Sequence, residues 1–102
     1  ALAALRIETE VNAIAPPVDV VDFVNHIDYM VELMGLEHVG ISSDFDGGGG
    51  ISGWNNAAET FNVTIELVRR GYTEEQIGLL WSGNLLRVLD DVQRIAAEIQ
   101  AE

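Results

Sequence analysis

The stretch His38-Val39-Gly40-Ile41-Ser42-Ser43-Asp44-Phe45-Asp46-Gly47, continued by Gly48-Gly49-Gly50, decides how this chain is read. From His38 to Ser43 the residues suit a short buried strand. The run stops at two carboxylates separated by one residue, then breaks into four glycines, which lack a Cβ and follow almost any backbone path. Carboxylates placed where a strand ends and a loop begins sit where a scaffold does its chemistry. The same residues read equally well as an ordinary strand closed by an Asp-Gly turn. The residue pattern by itself does not choose between the two.

Working outward, Val20, Val24, Ile27, Val31 and Met34 recur at spacings of three and four, which predicts a helix over 18–34 with Gly35 as its left-handed stop. A strand entered directly from a helix predicts an α/β unit. Residues 1–15 are apolar without a clear period and close at Pro16-Pro17, so they read as a short helix or a connecting segment. Downstream, a glycine-rich loop over 47–56 holds Ile51 and Trp54. A helix is predicted over 57–70 with Phe61, Ile65 and Val68 inward and Gly71 as its stop. Thr73-Glu74-Glu75-Gln76 fits a capping box that starts a short helix burying Ile77, Leu80 and Trp81. Ser82-Gly83-Asn84 reads as an interruption, with Asn84 capping a last helix that turns Leu85, Leu89, Val92, Ala96 and Ile99 inward.

A single strand leaves N–H and C=O groups unpaired along both edges, which is costly if buried. No convincing second strand is present. The expectation is therefore one α/β segment over 1–102, with 1–17 as a connecting segment, that ends a larger parallel-sheet domain and does not fold autonomously. The chain does not begin with Met, so it is expected to start inside a longer product or after processing.

Composition narrows the function. Net charge is −12, from 17 acidic residues against five arginines and no lysine, which argues against nucleic acid or an anionic membrane surface as partner. The absence of cysteine excludes disulfides and thiolate metal sites and leaves the redox compartment unread. No apolar run approaches the roughly 20 residues of a membrane span.

Other chemistry is weakly supported. Counted as a calcium loop from Asp44, the fifth position is Gly48 and the twelfth Asn55, where ligands are required. The glycine run lacks the Lys-Ser/Thr of a phosphate loop. His26 and His38 fall on different predicted elements and read as helix-face and strand-entry residues rather than metal ligands. Asn62-Val63-Thr64 matches a glycosylation sequon but lies in a predicted helix. Trp54 and Trp81 read as packing residues, although Trp54 in its loop could cover a pocket.

Four blocks in order carry a resemblance: His26-Ile27-Asp28 with Gly35, then His38 to Gly47, then Glu66-Leu67-Val68-Arg69-Arg70-Gly71-Tyr72, then Gly83-Asn84-Leu85-Leu86-Arg87-Val88. Over roughly 18–92 the chain resembles the C-terminal part of the membrane (renal) dipeptidases, zinc peptidases of the metal-dependent amidohydrolase superfamily. The resemblance implies the last strand and terminal helices of a (β/α)₈ TIM-type barrel, with Asp44 at the C-terminal end of strand eight, where such barrels place their sites. It implies hydrolysis of dipeptides with two zinc ions, none of whose ligands matches a residue of this chain. It further implies that Asp44 contacts the substrate's amino end and takes part in proton transfer, while Asp46 and Gly47 shape the loop. The implied partners are the remaining barrel polypeptide and a dipeptide; a homo-oligomer is compatible. Ser42 stands where many relatives carry Gly, and the glycine run is longer than in the animal enzymes, which suits a bacterial source. Two alternatives stay open: a non-catalytic acidic helical interaction domain, or a related amidohydrolase acting on another amide.

Overall fold

Helix formation dominates this chain because much of its apolar content recurs with helical period, and two of its helices start on side-chain caps, Asp19 and Thr73. The computed structural model describes all 102 residues and contains five α-helices: α1 (Leu2–Ile14), α2 (Val20–Met34), α3 (Phe61–Arg69), α4 (Glu74–Gly78) and α5 (Asn84–Ala101). Single 3₁₀ turns occupy Leu36–His38, Phe45–Gly47 and Ala57–Glu59, and a π-helical turn, Leu79–Gly83, joins α4 to α5. Within residues 1–15, open between helix and connection in the sequence, Leu2–Ile14 are helical. α2 starts on a reciprocal cap: Asp19 accepts from the Asp22 N–H at 3.0 Å, and Asp22 accepts from the Asp19 N–H at 3.1 Å. The Thr73–Gln76 box at the head of α4 is formed as the sequence predicts.

The structure corrects the predicted α/β class. It holds no strand and no sheet, only isolated bridges between Asp19 and Ser52 and between Ile51 and Trp54. The last-strand reading of His38–Ser43, and with it the TIM-type barrel portion, is therefore not what the chain forms. The physical reason is pairing: a strand exists through its ladder, and no segment runs beside Val39–Ser43 to supply one. Val39 keeps an extended backbone, φ −111° and ψ 134°, and the Ile41 N–H donates to the Leu80 carbonyl at 3.0 Å. These residues are an extended connection held by helices.

Eight residues make the buried core: Val24 and Ile27 of α2, Val39, Trp54, Val63 and Leu67 of α3, Ile77 of α4, and Leu80 in the π turn. Two predicted faces are corrected. In α3 the inward positions are Val63, Glu66 and Leu67, while Phe61, Ile65 and Val68 face solvent. In α5 only Asn84 is buried, and Leu85, Leu89, Val92 and Ile99 are exposed. Periodicity locates an apolar stripe but does not say that anything covers it. The radius of gyration is 18.1 Å, against about 13 Å for a compact domain of this length. The excess reflects α1, which buries no residue, and the projecting α5.

α2 and α3 are tied by Arg70. Its guanidinium donates to Asp28 at 2.6 Å, to Glu66 at 3.2 Å and to the Val21 carbonyl at 2.9 Å. The Tyr72 hydroxyl donates to the other Asp28 oxygen at 2.6 Å. The Asp28 hydrogen bond, partly offset by desolvation and aided by Glu66, makes Arg70 still harder to deprotonate. Burial, then the hydrogen bond to Asp28 and its charge, push the Tyr72 phenol up to about 12 against the pull of Arg70. A raised folded-state pKa means that the contribution of Tyr72 is complete below its unfolded value of about 10. It is then lost as pH rises to about 12. Tyr72→Phe is expected to flatten the fall in unfolding free energy over that alkaline window; an unchanged slope in pH-dependent denaturant melts contradicts the assignment.

Asn84 is not a helix cap. The chain passes through the π turn into α5 without a break, and Gly83 occupies the position before the helix. Asn84 is buried instead, and its Nδ2 donates to the carbonyls of Leu36 at 2.7 Å and Val39 at 2.9 Å. Arg87 completes the clamp, donating to Asn84 Oδ1 at 3.1 Å and to the Glu37 carbonyl at 2.7 Å. Aspartate caps helices as well as asparagine does but cannot donate to a carbonyl. Asn84→Asp is therefore expected to lower stability by roughly 1–3 kcal/mol in thermal melts; an unchanged melting temperature restores the cap reading.

Candidate active site

The clamp of Asn84 and Arg87 fixes the start of the extended connection, and the Ile41–Leu80 hydrogen bond fixes its middle. The connection ends at Asp44, whose φ of 54° and ψ of 34° place it in the left-handed region. It is the one non-glycine residue with positive φ in the chain. That conformation costs about 1 kcal/mol, less for aspartate than for most residues, and persists only where the surroundings over-determine it.

The surroundings here are glycines. The Asp44 carbonyl accepts from the Gly47 N–H at 3.0 Å and the Gly49 N–H at 2.7 Å. A Cβ on Gly49 would collide with the Ser43 and Asp44 carbonyl oxygens, and one on Gly47 would collide with the Asp44 carboxylate. Gly48, at φ +107°, turns the chain between them. Asp44 thus presents its carboxylate over the gap left by a missing side chain. Ser43 Oγ accepts from the Phe45 N–H at 3.4 Å, the weakest contact of the group.

Asp44 and Asp46 are both exposed, and no hydrogen bond joins either carboxylate to the loop. Gly47 lies in the 3₁₀ turn against Asp44. The histidines are elsewhere: His26 stacks on Tyr29 with centroids 6.4 Å apart, and His38 lies 3.7 Å from Glu37. No group of three histidine or carboxylate side chains is arranged to hold a metal ion. The donor set of this chain therefore does not fit a zinc centre by itself.

Phe45, next to Asp44, packs edge-on against Trp54 with centroids 5.4 Å apart. Trp54 is 4% exposed and donates through Nε1 to Thr60 at 3.1 Å. Trp81 donates likewise to Thr64 at 3.0 Å, so both tryptophans are packing residues. Thr64 of the sequon is engaged by that bond, and Asn62 donates to the Gly53 carbonyl at 2.8 Å. Sequence reasoning missed the Phe45–Trp54 contact, the Asn84 clamp and the Arg70–Asp28–Tyr72 network. Only Glu66-Arg70, four apart on one helix face, carried a local signal.

Known proteins similar to this chain are peptidases. The profile described as membrane dipeptidase (peptidase family M19) matches residues 7–102, and the chain belongs to that family. Among curated relatives, dipeptidase ataJ of Aspergillus terreus is 41% identical over 78% of this chain and 20% of its own length. Human dipeptidase 3 is 33% identical over 76% of this chain and 16% of its own. The crystal structure of the probable dipeptidase PvdM from Pseudomonas aeruginosa is 48% identical, with a TM-score of 0.74 over 76% of this chain and 19% of that one. The chain spans about a fifth of the length of the relatives it matches.

If Gly49 is required by close approach, Gly49→Ala should cost roughly 1–3 kcal/mol through forced displacement of Ser43 and Asp44. Gly40, with open space where a Cβ would stand, is the control: Gly40→Ala should stay within about 0.5 kcal/mol. Equal melting temperatures for the two variants contradict the cradle.

Proposed function

We propose that this chain contributes the Asp44 loop to an enzyme hydrolysing the peptide bond of dipeptides. The observation that carries the reading is the left-handed Asp44, presented on a glycine cradle inside a chain that belongs to a dipeptidase family. A carboxylate in that position can accept a hydrogen bond from the substrate's ammonium group and can take or return a proton as the amide is cleaved. Asp46 lies beyond Phe45 on the same turn and acts on the shape and charge of the loop. Zinc ions, with the Lewis-acid chemistry such ions supply, would be held by residues outside these 102. The partner required is the further polypeptide that the relatives carry, set against the exposed apolar faces of α1 and α5. Those faces also favour a second reading, an acidic helical interaction module without catalysis, which predicts no dependence of any hydrolysis on Asp44.

Asp44→Asn keeps the shape and removes the charge and basicity. In the intact enzyme it should lower kcat for dipeptide hydrolysis by roughly 10²–10⁴. Asp46→Asn should act mainly on KM or stability. A near-normal kcat in Asp44→Asn removes this residue from the mechanism.

A further inference from the structure

We propose that Phe45 and Trp54 form an aromatic post that sets the orientation of Asp44, making both positioning residues for the reaction. The inference rests on the reading of Asp44 given above. Between Asp44 and Gly50, Phe45 is the one residue that is not fully exposed. Every other residue of the turn is glycine or a solvated aspartate, so backbone hydrogen bonds alone tie it down on that side. The Phe45 ring meets Trp54 at 73° in an edge-to-face contact, the geometry that the ring quadrupoles favour.

Trp54 is anchored from three directions. Its ring packs edge-on against Phe23 of α2 at 5.2 Å and against Trp81 in the π turn at 5.9 Å. Its indole N–H is bound to Thr60, immediately before α3. Its backbone exchanges hydrogen bonds with Ile51 at 2.9 and 3.2 Å. The post therefore connects three helical supports to the peptide unit that bears Asp44. A left-handed aspartate in an otherwise exposed glycine turn has no other side-chain tie to the core, and such a conformation persists only when its surroundings determine it.

The test uses the intact enzyme and dipeptide hydrolysis, with kcat and KM measured separately and thermal melts alongside. Phe45→Leu keeps an apolar side chain and loses the ring contact. It should lower kcat roughly 10–100-fold, as small misplacements of a reacting group do, with folding retained. Phe45→Tyr restores the ring and should return kcat to within about threefold. Placed in an Asp44→Asn background, Phe45→Leu should cause no further fall in kcat, because the group it positions is gone. Should Phe45→Leu fail to fold, Thr60→Val removes only the indole's acceptor and is read by the same cycle.

An equal fall from Phe45→Leu, or from Thr60→Val, in both backgrounds shows a purely structural role and overturns the proposal. So does a Tyr variant no better than Leu. A near-normal Asp44→Asn enzyme instead overturns the assignment of Asp44, and this inference with it.

Discussion

The packing of α2 on α3 is the contact on which the remaining structure depends. Val24 and Ile27 from one helix and Val63 and Leu67 from the other are each at most 2% exposed. Arg70 closes one end of that interface by joining Asp28 and Glu66. Such a half-buried cluster gains from mutual charge only because each carboxylate is also hydrogen-bonded. With the two helices fixed, Trp54 has a floor to rest on, and the loop between them is ordered by what it touches there.

The charge distribution follows the same division. Four of the five arginines, Arg6, Arg69, Arg70 and Arg94, carry most of the chain's ion pairs, and Arg70 and Arg87 also reach across between segments. Most of the 17 acidic residues have no cationic partner available. They cover the surface with like charge, which favours solubility and disfavours any anionic surface. No arginine forms an ion pair with the Asp44 carboxylate.

Much of the helical framework was legible in the sequence because its signals are local. The stripe from Val20 to Met34, Gly35 at its end, and the Thr73–Gln76 box each act within four residues or so of chain. What was not legible depends on partners distant in sequence. The strand reading of His38–Ser43 failed because a β-ladder is a relation between two segments, and composition describes one. The faces of α3 and α5 were misjudged because amphipathicity describes a helix, whereas burial describes its neighbour. Asn84 looked like a cap from its flanking Ser-Gly, yet its two bonds reach residues more than forty positions earlier. At the proposed site, the family resemblance pointed to Asp44, whereas the left-handed backbone and the contact between Phe45 and Trp54 could not be read from the Asp-x-Asp-Gly pattern.

The π turn at Leu79–Gly83 has a consequence for how this chain can vary. Each residue of an α-helix advances the azimuth by about 100°, and a π turn carries one residue more than the α-helix it interrupts. It therefore takes up one extra residue between α4, whose Ile77 faces the core, and α5, whose apolar stripe faces away. Replacing a side chain there alters packing locally. Deleting one residue would let the turn relax to α-helix, the loss being taken up within the turn, so that Asn84 and Arg87 would keep nearly their present azimuth. In this part of the molecule, a one-residue change of length is absorbed by the turn and is not passed on to α5.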